Sequence, residues 1–302
     1  MDQIRVLPLG ISAGAPTSTR HVSATAVVLD GETILIDCGE GTQYQLMRSS
    51  LRTGGCGVIL ISHLHGDHLY GLPGLLGTMA LYDRSEPLAI FGPAGLCAYL
   101  DGVRKTTQLN LPYPVSLTEA EPGIILEGKG FRIIASALEH SIPTLGYTIV
   151  EDDRPGTFDA RRATALGVTT GPLFGHLKRG ERVTLSDGRT VHGTDLVGPV
   201  RAGRRVTYCC DTRRCDSAVE LARGADLLIH ESTYGEDMRD EAGRRWHSTA
   251  VDAAHVAAQA GARKLLLTHI SPRYTDSSVL QREAMEHFTD VEVAEELRWV
   301  EL

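Results

Sequence analysis

The stretch from Val58 to His68, VILISHLHGDH, constrains the fold of this chain more than any other stretch. Its apolar beginning predicts a short buried strand, and Gly66 allows a sharp turn soon after that strand ends. Three imidazoles and one carboxylate stand within six positions, and these groups are common ligands of a catalytic zinc ion. Because two of them alternate along extended chain and two follow the glycine, we expect them to face two neighbouring ions. These residues are His63, His65, Asp67 and His68.

The spacing of these four residues resembles the H-x-H-x-D-H signature of the metallo-β-lactamase superfamily. The resemblance implies a fold and a dinuclear metal site. It does not identify a substrate, because the superfamily includes lactamases, thioesterases, sulfatases and nucleases. The choice among these activities therefore depends on the rest of the chain.

Candidate site residues recur along the chain, each at the carboxyl end of an apolar run that predicts a strand. Because strand ends gather at one rim of a sheet in layered α/β proteins, we expect these side chains to converge. Together with the resemblance, this predicts an α/β fold in which residues 1–302 form one αββα four-layer sandwich, the metallo-β-lactamase fold. The residues at strand ends are Asp37, His63, His140, Asp211, His230 and His269.

The superfamily pattern also implies a role for each of these residues. Asp67 would both bind metal and act as the general base. Asp37 and His230 would contact the metal ligands and orient them without binding metal themselves. Cys209 and Cys210 are expected only to fill their strand. Two zinc ions per chain are expected, with manganese or another divalent metal as the alternative. The implied ligands are His63, His65 and His140 for one ion, Asp67, His68 and His269 for the other, and Asp211 between them.

Two short motifs narrow the choice within the superfamily. HEST at His230–Thr233 and HST at His247–Thr249 resemble the paired HEAT and HST motifs of tRNase Z, the tRNA 3′-processing endonuclease also called ribonuclease Z. The resemblance implies that Glu231 orients His247, which would protonate the departing oxygen or bind the scissile phosphate. A helix is expected to follow, with Ser248 as its N-cap.

An insertion, residues 151–200, separates His140 from Asp211 and resembles the flexible arm, or exosite, of tRNase Z. That arm grips the tRNA body, and a surface loop with scattered charge is the alternative reading of this segment. The net charge of −8 for the whole chain disfavours RNA binding. The insertion is locally basic, however, and a basic patch can hold structured RNA on an acidic protein. The residues expected to contact tRNA are Arg154, Arg161, Arg162, Gly171, Pro172, Lys178 and Arg179.

One segment departs from the family. The N-terminal loop PxKxRN of tRNase Z is replaced here by residues 16–21, PTSTRH, so that Ser18 stands for the lysine and His21 for the asparagine. In the family this loop helps to reject tRNA that already bears CCA. We therefore expect weaker discrimination against CCA in this chain.

Composition is that of an ordinary soluble protein, with 42% hydrophobic and 23% charged residues and no apolar stretch of membrane-spanning length. The N-terminus lacks the features of a signal peptide, and the six cysteines form no CxxC pair, so a cytoplasmic location is expected. The resemblance to the bacterial short form of tRNase Z implies a homodimeric, zinc-dependent endoribonuclease. It would remove the 3′ trailer from tRNA precursors, leaving a 3′-hydroxyl on the tRNA and a 5′-phosphate on the trailer. The alternative is another hydrolase of the superfamily, such as an arylsulfatase or a thioesterase.

Overall fold

A computed structural model describes residues 4–302, and it contains two seven-stranded sheets and one separate hairpin. Most strands coincide with the apolar runs of the sequence, because a strand buried on both faces needs apolar side chains at consecutive positions. The strands are β1 (Arg5–Gly10), β2 (Ala24–Leu29), β3 (Glu32–Ile36), β4 (Cys56–Leu60), β5 (Leu88–Gly92), β6 (Val115–Glu119), β7 (Gly123–Glu127), β8 (Phe131–Leu138), β9 (Thr144–Glu151), β10 (Arg182–Thr184), β11 (Thr190–His192), β12 (Arg205–Cys209), β13 (Leu227–Glu231), β14 (Leu265–Thr268), β15 (Val291–Val293) and β16 (Val300–Glu301).

Helices connect most of the parallel strands. None of the helices within residues 4–302 has the length and apolar content needed to cross a membrane. The helices are α1 (Thr42–Arg48), α2 (Gly66–Leu69), α3 (Leu72–Leu81), α4 (Leu96–Thr107), α5 (Ala160–Ala165), α6 (Pro172–Lys178), α7 (Asp216–Leu221), α8 (Arg239–Arg244), α9 (Ala250–Ala260) and α10 (Ser278–Met285).

The two large sheets face each other across a shared apolar core. The first sheet has the order β16-β1-β2-β3-β4-β5-β6 and the second the order β15-β14-β13-β12-β9-β8-β7. Val27 and Ile34 of the first sheet pack in one cluster with Tyr147 and Ile229 of the second. The outer face of the first sheet packs against α3 and α4, and that of the second against α7, α9 and α10. These four layers confirm the αββα sandwich.

Parallel pairing in both sheets directs several strand ends to one rim. β3, β4, β5 and β6 pair in parallel in the first sheet, and β12, β13, β14 and β15 do so in the second. Consecutive parallel strands end on the same side of a sheet, so the residues that follow them meet there. The loops after β3, β4, β12 and β14 carry candidate site residues from the sequence.

The N-cap of α9 differs from the expected one. The cap is Thr249, whose hydroxyl accepts a hydrogen bond from the backbone N–H of Asp252, while the Asp252 carboxylate accepts one from the N–H of Thr249. This reciprocal pair is a capping box, which satisfies two helix-end donors at once. Ser248 is not the cap because its hydroxyl donates to the backbone carbonyl of Thr212, 2.7 Å away.

Residues Glu151–Gly203 form a second compact unit with its own small core. Leu177 of α6 and Val183 of β10 pack in that core, and the antiparallel pair β10–β11 forms a hairpin. The core packing shows that this segment has regular structure of its own. We refer to Glu151–Gly203 as the arm.

Candidate metal centre

The candidate metal-binding motif lies on the loop between β4 and α2. His63 and His65 stand on the extended chain after β4, and Asp67 and His68 belong to the single turn of α2. The turn begins at Gly66, where a Cβ atom would lie 2.2 Å from the Tyr70 ring. A larger residue at position 66 would therefore force the exposed Tyr70 ring to move. His140, Asp211 and His269 follow the ends of β8, β12 and β14.

Three imidazoles form a first group of potential ligands. The side-chain nitrogens of His63, His65 and His140 can all lie within 4.8 Å of one another. His63 Nε2 lies 3.0 Å from His65 Nδ1, and His140 Nε2 lies 3.3 Å from the same atom. Two nitrogens bound about 2.1 Å from a tetrahedral zinc ion would lie about 3.4 Å apart. Burial, followed by the neighbouring imidazoles, lowers the pKa of His63, so its ring is neutral and able to bind a cation.

A second group lies beside the first. His68 Nε2 and His269 Nε2 are 3.3 Å apart, and Asp67 Oδ2 lies 3.4 Å from each of them. Burial opposes the ionisation of Asp67, but the two imidazoles outweigh it and hold the pKa of this carboxyl far below its usual range. The ionised carboxylate is the form that binds a cation.

Asp211 lies between the two groups and directs one oxygen toward each. Its Oδ2 lies 3.8 Å from His63 Nε2 and 4.0 Å from His140 Nε2. Its Oδ1 lies 3.2 Å from His269 Nδ1 and 3.6 Å from His68 Nε2. A carboxylate in this arrangement can bridge two ions, and the whole set of donors fits a pair of divalent cations.

Cys210 lies closer to this centre than the sequence indicated. Its Sγ atom joins the group formed by His68, Asp211 and His269, and it donates to Asp211 Oδ1 at 2.8 Å. Burial, reinforced by Asp211, raises the pKa of the Cys210 thiol well above its ordinary value. The group is therefore a neutral thiol that holds a carboxylate oxygen. Strand periodicity did not reveal this contact because Cys210 and Asp211 lie beyond the end of β12.

Asp37 supports the metal loop through four contacts. It accepts hydrogen bonds from the Ser62 backbone N–H at 2.7 Å, from the Ser62 hydroxyl at 2.9 Å and from the Tyr208 hydroxyl at 2.9 Å. Its Oδ2 also lies 2.8 Å from His68 Nδ1. A carboxylate on one ring nitrogen directs the other nitrogen toward the metal site and makes it more basic. Asp37 therefore orients His68.

Glu231 and His247 form a buried pair at the edge of the cluster. Glu231 Oε1 lies 2.8 Å from His247 Nδ1 and also accepts the backbone N–H of Thr212 at 2.8 Å. Burial lowers the pKa of His247, but the Glu231 carboxylate outweighs it and raises that pKa to about 9. His247 is therefore protonated at neutral pH. Its ring lies 5.1 Å from that of His140 and 5.6 Å from that of His269.

His230 is the one strand-end residue that the structure does not bring to this cluster. Successive strand residues point to opposite faces, and in β13 Leu227 and Ile229 face the core between the sheets. Glu231 shares that face, whereas His230 shares the face of Leu228, which packs against the outer helices. Within residues 4–302, His230 Nε2 is one of two buried side-chain atoms without a hydrogen-bond partner.

Thr233, the last residue of the HEST motif, contacts two site residues that the sequence does not indicate as its partners. Its hydroxyl donates to Glu231 Oε2 at 2.6 Å and lies 2.9 Å from His269 Nδ1. It therefore connects the buried carboxylate with a candidate ligand. The only sign of this role in the sequence is a hydroxyl residue two positions after Glu231. That spacing does not by itself indicate a contact with His269, which is distant in sequence.

The altered N-terminal loop borders an open cavity of about 390 Å³, which is lined by Pro16 of the loop and by His65 and Asp67 of the candidate metal centre. The Gly14 backbone N–H donates to Asp67 Oδ2 at 2.8 Å. Ser18 is exposed, while His21 Nδ1 lies 2.9 Å from Glu296 Oε2. Glu296 thus contacts both the ring and the backbone N–H of His21 and holds this end of the loop.

Several of the basic residues predicted to bind tRNA have partners inside the arm. Arg154 pairs with Glu151, Arg179 Nε lies 2.6 Å from Glu181 Oε1, and Lys178 Nζ lies 5.8 Å from the centre of the Phe158 ring. Of the seven residues predicted to contact tRNA, six are exposed and Arg154 is half-buried. The exposed ones are Arg161, Arg162, Gly171, Pro172, Lys178 and Arg179.

Comparisons with known proteins agree with this geometry. Residues 32–270 match the family model described as the beta-lactamase superfamily domain. Ribonuclease Z of Acaryochloris marina is 47% identical over 89% of this chain and 87% of its own length. Ribonuclease Z of a Cyanothece species is 44% identical over 97% of this chain and 94% of its own length. The solved short form of human tRNase Z is 29% identical with a TM-score of 0.72, and the match covers 98% of both chains.

Proposed function

Because the chain belongs to the ribonuclease Z family of the beta-lactamase superfamily, we propose that it is the endoribonuclease that removes 3′ trailers from tRNA precursors. The observation that carries the proposal is the His247–Glu231 pair beside the cluster of histidines and aspartates. A phosphodiester with a poor leaving group needs a proton donor opposite the attacking nucleophile, and this pair supplies one.

The donor set supports two zinc ions as the bound metals. The first ion would be held by His63, His65 and His140, whose nitrogens have the mutual spacing that tetrahedral coordination requires. The second would be held by Asp67, His68 and His269, with Asp211 shared between the two. When bound, the cations would supply Lewis acidity toward the phosphate and a water of lowered pKa. Manganese or another divalent cation is the alternative occupant.

The side chains of the site have distinct roles in the proposed hydrolysis. Asp67 accepts the proton of the attacking water as the new bond to phosphorus forms. The bond from phosphorus to the 3′ oxygen breaks, and His247 donates its proton to that oxygen, leaving a 3′-hydroxyl on the tRNA. Glu231 holds His247 in place and keeps it protonated, and Asp37 orients His68.

The arm is proposed to bind the body of the tRNA. Its support is the exposed position of Arg161 and Arg162 on α5, and of Gly171 and Pro172 where α6 begins. Between Glu151 and Gly203 the sequence has eight Lys and Arg against seven Asp and Glu, whereas the whole chain has a net charge of −8. The arm should therefore repel a polyanion such as RNA less than the rest of the chain does.

A homodimer is proposed as the working assembly. Large exposed apolar side chains occur on α1 and at the end of α3, where Tyr44, Leu81 and Tyr82 are each more than 60% exposed. The two helices pack together, with Thr78 donating to Gln43 at 3.2 Å. Exposed apolar side chains of this size are typical of protein contacts, and two-fold symmetric pairing is the commonest assembly.

The decisive experiment is cleavage of a tRNA precursor with a 3′ trailer, followed by mapping of both new ends. We expect one cut that leaves a 3′-hydroxyl on the tRNA and a 5′-phosphate on the trailer. Aryl sulfate and thioester substrates are assayed in parallel. Their turnover without cleavage of the precursor would instead assign the chain to a sulfatase or thioesterase.

A further inference from the structure

Trp246 occupies a backbone position at which a bulky residue is unfavourable. Its φ of 61° lies in the left-handed region, which few residues other than glycine and asparagine adopt without strain. The His247 N–H donates to the Ala242 carbonyl at 2.9 Å and the Trp246 N–H to the Gly243 carbonyl at 3.5 Å. These two bonds define a Schellman motif at the end of α8, with Trp246 in the place that glycine usually takes.

The backbone of Trp246 serves the candidate metal centre, but its side chain does not. The Trp246 carbonyl lies 3.1 Å from His140 Nδ1, which leaves His140 Nε2 directed toward the first group of ligands. The next residue is His247. A glycine at position 246 would offer the same carbonyl and the same turn with less strain. The backbone conformation at this position therefore does not account for the indole ring.

The Trp246 ring is exposed and held in place by a neighbouring arginine. Trp246 is 37% exposed, and the Arg213 guanidinium stacks over its ring with the central carbon 4.0 Å from the ring centre. Arg213 is itself fixed, because its Nε donates to Glu139 Oε2 at 2.7 Å and its backbone N–H to the Glu139 carbonyl at 3.0 Å. A rigid aromatic ring stacked with a guanidinium is a common platform for a nucleobase.

From this geometry we propose that Trp246, braced by Arg213, stacks against the base of the nucleotide on the 5′ side of the scissile phosphate. The assignment rests on the proposed function. His247 donates its proton to the departing 3′ oxygen, and that oxygen belongs to the last nucleotide kept on the tRNA. Trp246 directly precedes His247 and its carbonyl contacts His140 Nδ1, so we assign its ring to the nucleotide that carries this oxygen. Stacking tolerates any base, and the larger surface of a purine gives the stronger contact.

The first test combines substitution of Trp246 with removal of the base. Trp246→Gly should lower kcat/KM on an intact precursor about tenfold, the order expected for one lost base stack. The same substitution should lower kcat/KM by less than about twofold when that nucleotide is abasic, since the base that would stack on the ring is then already absent. Trp246→Phe should restore most of the activity. Trp299 provides the matched control, because it too lies under an arginine, with the Arg5 carbon 4.5 Å from its ring centre, but packs against the outer apolar cluster of the first sheet.

The second test detects binding without cleavage. The chain has two tryptophans, so Trp299→Phe leaves Trp246 as the single indole emitter. Its fluorescence should be quenched by a tRNA that ends at the nucleotide in question, and much less by the same RNA with an abasic residue there.

The two tests separate the platform from the proposed function. Glycine is favoured at this turn, so Trp246→Gly should keep the thermal stability and the metal content of the parent protein. Equal losses on intact and abasic precursors, or equal quenching by both RNAs, would overturn the stacking assignment while leaving the nuclease proposal intact. Failure of the unmodified protein to cut any precursor would overturn the nuclease proposal itself.

Discussion

The pH dependence of cleavage offers a direct test of His247 as the acid, because Glu231→Gln removes the charge of its partner and keeps the shape. Glu231 Oε1 lies 2.8 Å from His247 Nδ1. Burial lowers the pKa of His247, but Glu231 outweighs it and raises that pKa from 6.5 to about 9. At about 1.4 kcal/mol per pKa unit, the rise is equivalent to about 3 kcal/mol in favour of the protonated ring.

The direction of the pH effect follows from this raised pKa. The imidazolium is the acid, so its contribution is present below the pKa of His247 and is lost as pH rises through that value. In the unmodified protein kcat/KM should decline only near pH 9, whereas in Glu231→Gln the decline should begin near or below pH 6.5. For a pKa of about 6.5 in the variant, its activity should be about 30-fold lower at pH 8 but within about twofold at pH 6; a lower pKa enlarges both losses and keeps the loss at pH 8 the greater.

The assay measures kcat/KM on a tRNA precursor between about pH 5.5 and pH 9.5, together with hydrolysis of bis(4-nitrophenyl) phosphate. That small diester has a good leaving group and should be insensitive to the substitution. Glu296→Gln is the matched control, because Glu296 also pairs with a histidine, His21, at 2.9 Å but outside the cluster. Equal losses at pH 6 and pH 8 in Glu231→Gln, with metal content retained, would refute the assignment of His247 as the acid.

Three further predictions concern the metals, the arm and the N-terminal loop. Asp211→Ala should lose at least one of two bound ions, and elemental analysis that finds both retained would show that Asp211 is not a shared ligand. Replacing residues 154–179 with a short Gly/Ser bridge should raise KM for the precursor and flatten its salt dependence, while hydrolysis of the small diester continues. Equal losses of both activities would contradict this. The double substitution Ser18→Lys with His21→Asn should strengthen discrimination against CCA-bearing precursors. An unchanged ratio of the cleavage rates of precursors with and without CCA would contradict a role of the loop in this discrimination.

Much of the architecture could be predicted from the sequence because buried strands leave a local signal. The apolar runs before Asp37, His63, His140, Asp211 and His269 become β3, β4, β8, β12 and β14. Their places in two mixed sheets, with β3 parallel to β4 and β12 to β14 in one parallel series, explain why these side chains meet. The individual roles of the site residues stay predictions until metals and variants are measured.

The expectations that proved wrong, or that the structure does not support, depend on details that a linear pattern does not carry. Ser248 is replaced by Thr249 as the N-cap because the Ser248 hydroxyl donates to a distant carbonyl. His230 lies at a strand end, as expected, but on the wrong face of β13, since the side-chain direction alternates at each residue. Cys210 contacts Asp211 past the end of β12, where strand alternation gives no guidance.

The segment from Cys210 to Thr212 connects the candidate metal centre with the acid. The Cys210 thiol donates to Asp211 Oδ1, and the Asp211 carboxylate directs one oxygen toward each group of histidines. The next backbone N–H, that of Thr212, donates to Glu231 Oε1 at 2.8 Å, and the same oxygen holds His247. Substitutions of Asp211 and Glu231 should therefore not be additive, because each alters the position of a group that the other uses. The proposed proton donor and the candidate metal ligands are connected through one short, buried segment, so the distance between them is set by the protein before any substrate binds.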